Sequence, residues 1–119
     1  MNDLSIFPIS TSINQSGHLA IAGYDVVELA NQYGTPLYIY DGATVKSQIE
    51  RLNQLLKRYY PGETLLAYAS KAYLSFQFAR KLARWGIGLD VVSLGEIRIA
   101  QKAAFPPSVV HLHGNNKSE

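Results

Sequence analysis

From Asp41 onward the apolar residues switch between helical and strand periods in regular alternation, and nothing else in the chain constrains its fold as strongly. Val45, Ile49, Leu52, Leu56 and Tyr59 recur at spacings of four, three, four and three, one face of an amphipathic helix. Asp41 is suited to cap that helix and Pro61-Gly62 to end it. Thr64–Ser70 then reads as a mostly apolar strand. Leu74–Trp85 reads as a second helix, with Phe78, Leu82 and Trp85 on one side and Gly86 at its end. Gly88–Val92 is a short strand. Ser93-Leu-Gly-Glu96 is a capping box opening a helix to about Ala104. Pro106-Pro107 breaks that helix, and Ser108–Leu112 is a further strand. Three helix–strand units at a spacing of roughly 20–25 residues predict a parallel sheet with helices on its faces, as in a (β/α) barrel or an open doubly wound sheet. No Gly-x-Gly-x-x-Gly dinucleotide fingerprint follows a strand.

The first 40 residues are less regular. Ile6–Ile9 and His18–Ala22 look extended, with turn chemistry in Asn14-Gln15-Ser16-Gly17 between them. Asp25 is placed to cap a short helix to Tyr33 that Gly34 stops. Pro36 imposes an extended start on Leu37-Tyr-Ile-Tyr40, which is rich in β-formers. The 119 residues suffice for one domain at most. A hydrophobic share of 47% with 17% charged residues fits a folded globular chain. The net charge of +2 is scattered, which gives no electrostatic footprint for nucleic acid. Without cysteine there is no disulfide, thiolate nucleophile or zinc–thiolate site. No signal peptide is visible, and no apolar run approaches the ~18 residues of a membrane helix, so the expected location is the cytoplasm. The chain stops in a polar turn after a strand-like run, and so reads as interrupted.

Reactive side chains gather where the strands end. Lys71 follows the first strand, Asp90 lies near the end of the second, and His113-Gly-Asn-Asn116 closes the third. In parallel α/β proteins those ends form one rim, where chemistry is done. Strand parity puts Ala67, Ala69 and Lys71 on one face, so small residues leave room beside the lysine. Each residue also has a plainer account. A lysine after a strand is usually solvated, Asp90 can satisfy backbone amides, and capping explains Glu96. Tyr38, Tyr40, Tyr59 and Tyr60 suit packing or rim positions. His111 and His113 share a face and could ligate a metal if further ligands existed, with satisfied structural histidines as the simpler account. No Gly-x-Ser-x-Gly elbow or Walker-A loop is present. Residue patterns alone therefore lead to an α/β barrel part with a polar rim, and to no single reaction.

Three segments carry a resemblance. Tyr68-Ala-Ser-Lys-Ala72, Gly86-Ile-Gly-Leu-Asp-Val-Val-Ser-Leu-Gly-Glu-Ile97 and His113-Gly-Asn-Asn-Lys-Ser118 resemble successive motifs of the diaminopimelate decarboxylases. These belong to the alanine-racemase-like group of pyridoxal-phosphate (PLP) enzymes. Gly34-Thr-Pro-Leu-Tyr-Ile-Tyr-Asp41 is similar to the start of that family's barrel domain, and Gly17-His-Leu-Ala-Ile-Ala-Gly23 to its N-terminal strand. Departures are Ser70, where the family often has Val or Ile, Tyr73, where it often has Asn or Cys, and Leu94, where many members have Gly.

The resemblance implies a fold, a cofactor and a reaction. The fold class is α/β: a partial (β/α)8 TIM-type barrel, its first β/α units only, preceded by a short N-terminal β segment. Residues 1–35 would be associated with the β-domain of the full enzyme, and residues 36–119 would begin the PLP-binding barrel. Lys71 matches the lysine that forms the Schiff base with PLP. Ala67 matches the small residue beside the pyridine ring, and Asp90 and Glu96 match acidic positions near the cofactor. His113 and Asn115 match a motif at the next strand end. No metal site is implied. The implied reaction converts meso-2,6-diaminopimelate to L-lysine and carbon dioxide in a homodimer whose phosphate-binding glycines lie beyond residue 119. The 119 residues alone are then expected to be aggregation-prone, with open sheet edges, and inactive. Open alternatives are an ornithine or arginine decarboxylase, an alanine racemase, a non-catalytic PLP-binding homologue, or a metal hydrolase using His111 and His113.

Overall fold

The computed structural model describes residues 4–114. The chain forms two compact units, Met1–Arg51 and Leu52–Glu119.

In the first unit a small antiparallel sheet has the order β1 (Thr11–Ile13), β2 (Leu19–Ile21), β3 (Tyr24–Asp25). The tight turn between β1 and β2 forms because the Asn14 side-chain oxygen accepts the Ser16 and His18 amides at 3.0 and 2.9 Å. Gly17 supplies the positive φ, +77°, that closes it. The extended residues thus begin at Thr11. Ile6–Ile9 forms no strand; within it the Phe7 amide turns back to the Leu4 carbonyl. Asp25 ends β3 and caps α1 (Val26–Tyr33), accepting the Val27 amide at 2.8 Å. Its other oxygen takes Asn14 Nδ2 at 2.6 Å and faces His18 Nδ1 at 2.9 Å. The His18 contact is the main reason the Asp25 pKa is lowered from 3.8 to about 2. Leu37–Tyr40 enters no ladder among the described residues, since β-formers make a strand only where another backbone is in register.

Asp41 opens α2 (Gly42–Tyr59) as its residue type predicts, accepting the Ala43 and Thr44 amides at 3.3 and 3.1 Å and the Thr44 hydroxyl. The helix stops at Tyr59, ahead of Pro61-Gly62. Along its apolar stripe Ile49 is buried, whereas Leu52 and Tyr59 stay exposed.

In the second unit β4 (Ala67–Ala69), β5 (Gly88–Val91) and β6 (Val110–Leu112) form a parallel sheet in sequence order. Helix α3 (Phe76–Arg84) connects the first pair and α4 (Leu94–Lys102) the second. This is the β–α–β–α–β succession expected of a partial (β/α) barrel. Pairing sets the faces: Tyr68 is opposite Leu89, which is opposite Val110, while Ala69, Asp90 and His111 line up on the other side. The first face is the core side. Leu89 and Val91 are fully buried, and Phe78, Ala79 and Leu82 of α3 are buried too. The Phe78 ring meets Tyr68 edge-on with centroids 5.3 Å apart.

Helix α3 starts two residues later than the apolar pattern suggests, because the Ser75 hydroxyl accepts the Phe78 amide and fixes the cap there. Gly88 is buried with no room for a side chain, since a Cβ would lie 2.8 Å from the Val109 carbonyl oxygen.

Candidate active site

Strand β4 is shorter than the predicted Thr64–Ser70. Ladder pairing covers Ala67–Ala69, and Ser70–Ala72 tightens into a 3-10 turn. Lys71 therefore sits in that turn, just past the strand it was expected to close. The reason lies in Ser70. Its side chain, 3% exposed, donates toward the Asp90 carbonyl oxygen at 2.7 Å and toward Glu96 Oε2 at 2.6 Å, drawing the chain out of the extended line. Lys71 is exposed, as are Ala67 and Ala69 on the same side of β4. Strand alternation ends at Ala69, so the parity that groups Ala67 with Ala69 does not extend to Lys71 in the turn.

Asp90 is level with Ala69 and His111 in the sheet, and its carboxylate lies 3.1 Å from His113 Nδ1. Asp90 is partly shielded, at 30% side-chain exposure, whereas the His113 ring is 78% exposed. The His113 backbone amide extends the ladder by donating to the Val91 carbonyl at 2.8 Å. Hence the imidazole is held through Nδ1, and among the described residues Nε2 has no hydrogen-bond partner on a ring that is largely exposed. His111 and His113 lie on the face of Asp90, as their spacing predicts. Among the described residues no three His, Cys, Asp or Glu side chains cluster as metal ligands would. Asn115 lies outside the described residues.

Glu96 stands slightly apart from that pair. The Ser93 hydroxyl accepts the Glu96 amide at 3.3 Å, half of the predicted capping box. The returning half is broader than predicted: Glu96 Oε2 accepts the Val92 amide at 2.6 Å as well as the Ser70 hydroxyl. Burial pushes the Glu96 pKa upward. The hydrogen bonds from Ser70, Val92 and Ser93 outweigh it and hold the carboxyl below its ordinary value, so it is charged at neutral pH.

Ser70 is the site residue that the sequence left unassigned. A serine beside a lysine gives no period or motif to follow, and its partner Glu96 is 26 residues away. The structure joins Ser70, Asp90 and Glu96 in one network and Asp90 to His113. Ala67 in β4 and Lys71 in the turn that follows are both exposed.

A family model described as "Pyridoxal-dependent decarboxylase, pyridoxal binding domain" matches residues 43–119. Diaminopimelate decarboxylase from Bacillus subtilis is 44% identical over 106 residues, covering 88% of this chain and 24% of that protein. The enzyme of the same name from Mycobacterium tuberculosis is 37% identical over 123 residues, covering 99% of this chain and 27% of that protein. Among solved structures, diaminopimelate decarboxylase from M. jannaschii in complex with L-lysine superposes with a TM-score of 0.81 at 35% identity, covering 92% of this chain and 26% of that one. The chain thus spans about a quarter of the length of the relatives it matches.

Proposed function

The chain belongs to the pyridoxal-dependent decarboxylases, matching them in the pyridoxal binding domain, and from that premise we propose that it carries the cofactor lysine, Lys71, of an enzyme that converts meso-2,6-diaminopimelate to L-lysine and carbon dioxide. The observation that carries this reading is an exposed lysine, Lys71, in the turn directly after the exposed small residues Ala67 and Ala69 of β4, inside the matched residues. The fit to the cofactor is chemical. An aldehyde needs a reachable primary amine, and a flat ring needs a neighbouring surface without bulky side chains. Lys71 offers the first, and Ala67 with Ala69 the second.

Pyridoxal phosphate, when bound, supplies a sink for the electron pair left as a carboxylate departs as carbon dioxide. The chain's own residues hold and orient. Lys71 would hold the cofactor through its side-chain amine. Ala67 leaves space for the ring. Asp90 holds His113 by one nitrogen, so that the other nitrogen faces the rim as a hydrogen-bonding edge. Glu96 contributes a fixed negative charge close to the turn that carries Lys71.

In this reading residues 36–119 form the opening of the PLP-binding barrel, and residues 1–35 pack with the β-domain of the complete enzyme, a cytoplasmic homodimer. No helix among the described residues is long and apolar enough to cross a membrane.

Borohydride reduction in the presence of pyridoxal phosphate, followed by peptide mapping, tests the reading. The label is expected on Lys71 and absent from the Lys71→Ala protein. In the complete enzyme, carbon dioxide release is expected from meso-diaminopimelate and not from ornithine or arginine. Labelling at another lysine, or turnover of ornithine in preference, overturns it.

A further inference from the structure

Ser70 adjoins Lys71, and its hydroxyl has one proton but two acceptors, the Asp90 carbonyl oxygen at 2.7 Å and Glu96 Oε2 at 2.6 Å. Satisfying a buried hydroxyl needs only one of them, and the Asp90 carbonyl would suffice. Bringing a carboxylate into the same half-buried place costs desolvation that a neutral acceptor avoids. Helix capping does not account for it either. Capping requires Glu96 to reach the local amides at Val92 and Ser93, whereas Ser70 is 26 residues distant in the chain. The carboxylate is the stronger acceptor, and a charge-assisted bond is about twice as strong as a neutral one. One oxygen, Glu96 Oε2, therefore binds both the turn that carries Lys71 and the turn after β5.

We propose that Ser70 and Glu96 form a brace that fixes the Lys71-bearing turn against the turn between β5 and α4, which makes Ser70 a positioning residue for Lys71. Glu96 acts on the lysine through Ser70. Asp90 joins the same brace by its backbone carbonyl while its carboxylate orients His113, so the lysine turn and the imidazole are set from one strand end. The inference rests on the reading of Lys71 as the cofactor lysine.

The test uses the full-length gene product loaded with pyridoxal phosphate, with Ser70→Ala, Glu96→Gln and the double variant. Three quantities are read: cofactor retention from borohydride trapping at Lys71, the visible circular dichroism of the bound chromophore, and the thermal midpoint. Each single variant is expected to weaken retention about tenfold, since a charge-assisted bond becomes a neutral or missing one. Each is also expected to alter the visible dichroism at temperatures where the far-ultraviolet spectrum is native. The double variant is expected to match the weaker single, because both changes remove one bond. Wild-type retention and dichroism in the singles, with only a lower thermal midpoint, overturn the brace. So does a double variant whose losses multiply to about a hundredfold. If Ser70→Ala does not fold, Glu96→Gln, which keeps the shape and an acceptor oxygen, decides alone by the same two readouts. Absence of label at Lys71 in the unmodified protein overturns the proposed function itself. Normal labelling there with unperturbed variants overturns the brace only.

Discussion

Leu89 lies in the middle strand of the parallel sheet and has no exposed surface, so its truncation measures how much the second unit depends on that core. Leu89→Ala removes three carbon groups. At about 0.8 kcal/mol per buried CH₂ the lost transfer free energy is about 2.4 kcal/mol. If about 40 Å³ of the vacated space survives relaxation, a cavity cost of about 24 cal/mol per Å³ adds about 1 kcal/mol. The expected loss is therefore about 3.4 kcal/mol, a large part of the ~5–15 kcal/mol that holds a typical domain folded. Relaxation is limited here, because Leu89 pairs with Tyr68 on one side and Val110 on the other. Chemical unfolding followed by Trp85 fluorescence reads the change, since Trp85 ends helix α3 in the same unit. For m values of about 1–3 kcal/mol/M, the urea midpoint falls by roughly 1–3 M with m unchanged. Leu89→Ile keeps the volume and is expected to cost less than about 1.5 kcal/mol. A loss below about 1 kcal/mol for Leu89→Ala, or one no larger than that of Leu89→Ile, refutes the assignment of Leu89 to a packed core.

Gly88→Ala places a Cβ 2.8 Å from the Val109 carbonyl oxygen, a backbone atom that cannot swing aside, and is expected to cost about 1–3 kcal/mol in denaturant unfolding. Ser93→Ala removes the hydroxyl that accepts the Glu96 amide, and a loss of about 1 kcal/mol is expected in the same measurement. The Asp25 carboxyl titrates at about 2 in the folded chain and 3.8 ordinarily. It therefore stabilises the folded state above about pH 4, and that contribution disappears as pH falls toward 2. Thermal midpoints recorded between pH 5 and 2 should decline less steeply in Asp25→Asn, and equal slopes in the two proteins would refute the assignment.

Much of the second unit was legible because its signals are local. Ser93 and Glu96 mark a helix start by spacing alone, and the structure has α4 beginning at Leu94. Gly86, at φ +72°, ends α3 where a residue without Cβ adopts a positive φ most readily. The parallel order followed from the alternation of periods. Strand ends were less legible, since a strand extends as far as its neighbour and its side-chain bonds allow. Ser70 belongs to the β4 pattern by sequence and leaves it by structure, through bonds to residues 90 and 96. Leu37–Tyr40 shows the converse, β-formers without a ladder among the described residues.

Glu96 shows why the site was harder to read than the fold. By pattern it is a complete capping residue, and by resemblance an acidic position near the cofactor. Both descriptions concern one carboxylate whose strongest contacts are a local amide at Val92 and a distant hydroxyl at Ser70, each at 2.6 Å. Pattern reveals the first partner because it lies within a helical turn. The second partner arises from the pairing of β4 with β5, which brings Ala69 level with Asp90 and so carries Ser70 to the mouth of the α4 turn. A parallel sheet thus turns a capping residue into a tie between two strand ends, and Lys71 stands one residue from that tie.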